Sequence, residues 1–138
     1  MSSYVKMVFS LSLVFLAAIG WHFGTVLGWF GSPPATQAAF FWRIGIILVG
    51  FLVLSVGCAA FLGKRDKVSP LPDEREEKID MLAERNGVLA IYAGLLVLMW
   101  FVFTPLEPMQ VANGILVVVC FTEIVKLVSA LFYLKRGV

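Results

Sequence analysis

Side chains that do chemistry are scarce in this sequence. There is one histidine, His22, and there are two cysteines, Cys58 and Cys120. A single histidine cannot supply both axial ligands of a bis-histidine haem, and neither cysteine belongs to a C-x-x-C or other metal-ligand spacing. Both cysteines lie in apolar runs and read as small packing residues, so no disulfide framework is implied. There is no serine–histidine pairing and no cluster of carboxylates at catalytic depth. The sequence therefore predicts a non-enzymatic protein with no cofactor and no metal.

Charge is scarce as well. Only 14% of the 138 residues are charged, where a soluble domain carries about 25%. The net charge of +2 suggests no nucleic-acid surface, so no direct nucleic-acid partner is expected. What is abundant is apolar surface, at 60% of residues. A chain this short cannot hide that fraction in a water-soluble core.

The apolar residues fall into four runs: 7–30, 38–62, 87–104 and 111–134. A hydrocarbon core about 30 Å thick needs roughly 20 apolar residues per helix, so these runs read as four spans. Strands are excluded, because no alternating barrel pattern appears. Lys6 precedes the first run, but the run is longer than a signal-peptide core, and it is expected to be a retained span. Gly31-Ser32-Pro33-Pro34 and Pro105-Leu106-Glu107-Pro108 break the chain between spans. The expected fold is all-α, an integral membrane four-helix bundle forming one domain over 1–138.

Charge placement sets the expected orientation. Seven of the nine acids and six of the eleven basic residues lie between Lys64 and Arg85. Adding Lys6, Lys135 and Arg136 puts nine basic residues on one side and leaves only Arg43 near the other. The positive-inside rule then places both termini and the central segment 63–86 in the cytosol of a bacterial inner membrane. Trp29, Trp42 and Trp100 fall near the outer ends of their spans, as an interfacial aromatic belt requires.

Within the central segment, Ser69-Pro70-Leu71-Pro72 reads as a stiff connector. Asp73 and Glu76 have the spacing of a capping box. Ile79, Leu82, Ala83, Asn86 and Leu89 continue one helical face into the third span, which predicts a single helix from about Glu74 to Phe103. Its cytosolic projection exposes Asp73, Glu74, Arg75, Glu76, Glu77 and Asp80. It reads either as a solvated helix end or as a docking surface for a cytosolic protein.

Close packing in lipid needs small residues. Gly20, Gly24 and Gly28 form a double G-x-x-x-G stripe on the first helix, and Ala83, Gly87, Ala90 and Gly94 form a small-residue face on the third. Either stripe can pack within one chain or between copies, so a homodimer or a subunit of a larger membrane complex is expected. Besides membrane lipid, then, the partners expected are protein.

Ionisable residues inside the spans complete the candidates. Glu123 lies near the middle of the fourth span, where a charge costs at least about 2.5 kcal/mol unless it is partnered. Lys126 is three residues on and is the candidate partner. Glu123 reads as a structural polar anchor or as a binder of a proton or cation. His22 is at a similar depth and is a candidate contact. Arg43 is placed to reach the outer headgroups, with Glu107 as a candidate partner there.

Asp73-Glu74-Arg75, Ile79 and the Ala83-Glu84-Arg85 run resemble an uncharacterised family of small four-span bacterial membrane proteins, in which a D-E-R motif ends the central cytosolic loop. Glu123-Ile124-Val125-Lys126 through Tyr133-Leu134-Lys135-Arg136-Gly137 looks like that family's closing helix. The resemblance covers Pro72 to the C-terminus, and Leu82 stands where relatives often carry lysine. It implies the four-span fold and, through small helix-turn-helix regulators encoded near family members, a cytosolic regulator as partner. The function expected is an interaction partner, sensor or accessory subunit. The alternative is a small proton- or cation-coupled transporter using Glu123.

Overall fold

The computed structural model describes residues 3–65 and 73–137. It is all-helical: α1 (Ser3–Val26), α2 (Gln37–Arg65), α3 (Glu74–Val102) and α4 (Pro108–Arg136), with no strand among the described residues. The expected connector at Ser69–Pro72 lies outside them. All four helices are long and apolar enough to cross a membrane. Large apolar side chains such as Leu52, Val53, Leu96 and Trp100 are exposed along them. Contiguous apolar surface on this scale does not stay in water, and a bilayer is the solvent that suits it. The chain is a multi-pass membrane protein.

The chain divides into two compact units, Met1–Pro72 and Asp73–Val138. In the first, α1 and α2 pair as an antiparallel hairpin, with Phe15 against Phe51 and His22 against Phe40. The buried face of α1 is Phe15, Ile19, His22 and Thr25, at helical spacing. That face differs from the glycine stripe. A Cβ at Gly20 would meet nothing within 4 Å, and Gly28 lies beyond the helix.

The end of α1 explains the difference. Gly28 adopts a left-handed φ of 78°, which an L side chain resists. The chain reverses there, and the Trp29 and Phe30 N–H groups return to the Gly24 carbonyl at 2.8 and 3.3 Å. The Phe30 ring then folds over Gly24, onto the space a Cβ would occupy. The expected span to residue 30 therefore stops four residues early. At the start of α2, Thr36 Oγ1 accepts the Ala39 N–H at 3.2 Å, a serviceable N-cap.

In the second unit α3 and α4 form a longer and closer hairpin. Pro105 and Pro108 confine the turn, and Pro108 opens α4 at the position where a missing N–H costs nothing. The Glu107 N–H donates to Gln110 Oε1 at 3.0 Å, so a capping interaction forms here. At the start of α3, Asp73 occupies the N-cap position without a side-chain cap bond. Its carbonyl takes the Glu77 N–H instead.

The α3 face against α4 is Ile79, Ala83, Gly87, Ala90 and Gly94. Leu89, expected on this face, is exposed, and Ala90 takes the buried place one residue on. Without a Cβ, Gly94 lets both methyls of Val118 approach its backbone, and Gly114 does the same for Leu98. Nearer the turn the helices part around an apolar crevice of about 810 Å³, lined by Leu95, Leu98, Phe101, Leu106, Gly114 and Phe121 among others.

Candidate functional site

The polar residues of the second hairpin form a seam along the α3–α4 contact, on the half away from the turn. Lys126 is its centre. Its Nζ lies 2.9 Å from Glu84 Oε1 on α3 and 3.6 Å from Glu123 Oε1 on its own helix. Gly87 makes the longer reach possible. A Cβ there would fall 2.5 and 2.8 Å from Cγ and Cδ of Lys126, so the lysine stem lies across bare α3 backbone. A glycine three residues from a glutamate, opposite a lysine, thus forms a channel for one aliphatic stem.

The energetic role follows from exposure. The Lys126 and Glu123 side chains are 27% and 26% exposed, and Glu84 is 56% exposed. An ion pair this open to water is worth at most about 1 kcal/mol. Within a bilayer the comparison changes, because an unpartnered charge costs at least about 2.5 kcal/mol. One cation held between two carboxylates lets all three charges sit at the helix contact. Glu123 reaches Lys126, as its i,i+3 spacing allows, but the shorter bond goes to Glu84.

One turn further along, the Asn86 side-chain amide donates to Ser129 Oγ at 3.0 Å and to Tyr133 OH at 3.2 Å. Beyond it, Arg75 Nη2 donates to the Leu134 carbonyl at 3.4 Å, beside the left-handed Gly137 that ends α4. A cation there complements the negative end of the helix dipole. The seam thus reads Glu84–Lys126–Glu123, then Asn86–Ser129–Tyr133, then Arg75–Leu134.

The outward side of the same stretch carries more acids than bases. Asp73, Glu74, Glu77 and Asp80 are exposed beside an exposed Lys78, and Glu76 is half-buried. Arg75, expected with them as an interaction residue, is exposed yet directed to α4's carbonyl end. The acidic first turn of α3 suits the helix dipole.

His22 belongs to the other hairpin. It is fully buried, with Phe23 and Phe40 edge-on to its ring. Its carbonyl accepts the Thr25 hydroxyl at 2.7 Å, and that hydroxyl in turn accepts Arg43 Nη1 at 2.7 Å. Arg43 also reaches the Ser32 carbonyl at 3.5 Å and lies over the Trp21 ring at 5.3 Å. Within its own hairpin Arg43 therefore has hydroxyl, carbonyl and aromatic partners, while Glu107 serves α4's N-terminus.

Sequence reasoning placed Asn86 on the continuing face of α3 without naming its partners, and missed Glu84, Ser129, Tyr133 and Thr25 as polar contacts. The usable signal was the polar run Glu84-Arg85-Asn86 beside Gly87, which places polar side chains next to a gap at the helix contact. Among the described residues, no three His, Cys, Asp or Glu side chains gather as metal ligands. No family model, curated protein or solved structure matches this chain.

Proposed function

We propose that this chain is a non-enzymatic, four-span membrane module, both ends cytosolic, that presents the projecting start of α3 to a cytosolic protein. The observation that carries this reading is the unbroken 29-residue α3. At 1.5 Å per residue it is about 43 Å long, exceeding the hydrocarbon core by roughly 13 Å, or about nine residues. Those residues are Glu74 to about Leu82. One side of the projection is held to α4 by Ile79 and Arg75, and the other exposes Glu74, Glu77 and Asp80 together with Lys78. A stiff helix end on which acids outnumber bases is a surface that a basic protein patch can recognise without ordering it first.

The resemblance to the D-E-R family supports the same reading and adds a cytosolic regulator as the kind of partner. Association of copies, or assembly into a larger membrane complex, is part of the proposal. The Lys126 pairing of Glu123 favours an anchoring role for that carboxylate over coupled transport, since a coupling carboxylate must exchange its cation on each cycle.

The experiment is mild-detergent purification of tagged protein, followed by mass spectrometry of whatever accompanies it. The reading expects a stoichiometric cytosolic partner that is lost from the folded Glu77→Lys/Asp80→Lys double variant. A clean homo-oligomer, together with proton-driven flux in liposomes that Glu123→Gln abolishes, would replace it with the transport reading.

A further inference from the structure

We propose that the loop end of the α1–α2 hairpin binds a phosphodiester anion through Arg43, and that the anion is the headgroup of a membrane phospholipid. The argument begins with charge. Arg43 lies within the membrane-length window Gln37–Cys58, and a guanidinium on a span must reach polar surroundings. The sequence has no aspartate or glutamate before Asp66. The first hairpin therefore holds a permanent cation and offers it no carboxylate. The partners it does offer, Thr25 Oγ1, the Ser32 carbonyl and the Trp21 ring, are all neutral. They orient the guanidinium and, within the described residues of this hairpin, leave its charge uncompensated.

Geometry then says where the counter-ion comes from. Thr25 is one residue from the end of α1, and Ser32 lies in the turn. A guanidinium that touches both sits at the end of the hairpin, at the level of the bilayer surface. Trp29 and Trp42, both largely exposed, mark the same level, where indole rings favour the headgroup region. Phosphate is the anion that the bilayer places there at high density.

Chemistry fits as well. A guanidinium has five N–H donors in a planar fork, and two are used on Thr25 and Ser32. The remaining donors match two phosphate oxygens, and the pairing is charge-assisted. Thr25 is the positioning residue. It is 2% exposed, and its hydroxyl is fixed by donating to the His22 carbonyl, so the lone pair that receives Arg43 points one way. The His22 backbone carbonyl thereby starts a chain of bonds that runs through Thr25 to the Arg43 guanidinium.

The test is native mass spectrometry of the detergent-solubilised full chain, with added phosphatidylglycerol, diacylglycerol or inorganic phosphate. Wild type is expected to retain one phosphatidylglycerol and no diacylglycerol. Arg43→Gln is expected to lower retention about tenfold, the factor a charge-assisted bond supplies. Thr25→Val leaves the charge but unseats the fork, and a smaller loss of about threefold is expected, since the lipid contact itself is kept and only its positioning is loosened. It answers the question if Arg43→Gln fails the far-UV circular dichroism check. Glu107→Gln is expected to bind as wild type. Equal retention by wild type and both hairpin variants overturns the proposal. So does competition by inorganic phosphate at about millimolar concentration, which assigns a free-phosphate site. A rise in retention with Glu107→Gln gives the counter-ion role to that carboxylate and likewise overturns the lipid assignment.

Discussion

Replacing Gly94 with alanine measures how closely α3 and α4 are joined. A Cβ at Gly94 would lie 2.6 and 2.9 Å from the two methyls of Val118 and 3.2 Å from its Cβ. Optimal carbon contacts are about 3.5–4.0 Å, so the new methyl collides with three atoms. Val118 is buried, and a β-branched side chain in a helix has essentially one rotamer, so it cannot swing aside. Overpacking of this kind costs about 1–3 kcal/mol, and the helix-propensity gain of glycine to alanine offsets up to about 1 kcal/mol of it. The expected net destabilisation is about 1 kcal/mol. Gly20 is the control, because its missing Cβ has nothing within 4 Å. Gly20→Ala is expected to be neutral or to stabilise by up to about 1 kcal/mol. The assay is unfolding by SDS titration in mixed micelles, followed by circular dichroism. The double variant Gly94→Ala/Val118→Ala should recover part of the loss, with a coupling of about 1–2 kcal/mol. If Gly94→Ala matches Gly20→Ala, or if Val118→Ala brings no relief, the close approach at Gly94 is wrong.

Three further outcomes follow from the seam, each read by the same titration unless stated. Lys126→Met should cost about 1–2 kcal/mol, because it leaves two carboxylates facing one another at the helix contact, whereas Glu123→Gln keeps the Glu84 bond and should cost less than about 1 kcal/mol. Equal losses would argue against a shared cation. Asn86→Leu should destabilise by about 0.5–1.5 kcal/mol, the range of interhelical polar contacts in membranes, and Ser129→Ala should recover little of it. Arg75→Gln should leave overall stability within about 1 kcal/mol but speed hydrogen exchange over the last turn of α4, and unchanged exchange there would remove Arg75 as a cap.

Much of the fold was legible because each long helix carries its own signal. Hydropathy marks the runs, and Pro105 and Pro108 punctuate the second pair. The continuity of α3 through Arg85 and Asn86 could be read because Ile79, Leu82, Ala83, Asn86 and Leu89 keep helical spacing into the span. The end of α1 was illegible for a physical reason. Trp29 and Phe30 are as apolar as the span before them, so hydropathy runs on past the point where Gly28 turns the chain. The glycine stripe shows the complementary weakness. A missing side chain permits close approach but does not name what approaches, and Gly20, Gly24 and Gly87 meet nothing, an aromatic ring and a lysine stem respectively.

The site was read less well than the fold. The Glu123–Lys126 relation was available because i,i+3 spacing is local. Glu84 lies 42 residues away from Lys126, and their contact depends on the register of two packed helices, which hydropathy does not encode. The contact of Asn86 with Ser129 and Tyr133 was hidden for the same reason. The capping box expected at Asp73 failed, while one formed at Glu107, where Pro108 had already set the helix start. Arg43 was placed near the headgroups by its depth alone, but Thr25 as its seat could be seen only once α1 and α2 were paired.

The central claim is that the projecting end of α3 meets a protein in the cytosol. Site-specific photo-crosslinking in living cells tests it most directly, with benzoylphenylalanine placed at Asp80 and, as a lipid-facing control, at Leu96, both exposed. The account predicts a discrete protein adduct from Asp80, its loss when Glu77→Lys is added, and no such adduct from Leu96. An adduct from Leu96 with none from Asp80 would contradict it, and would move the protein contact from the helix end into the membrane.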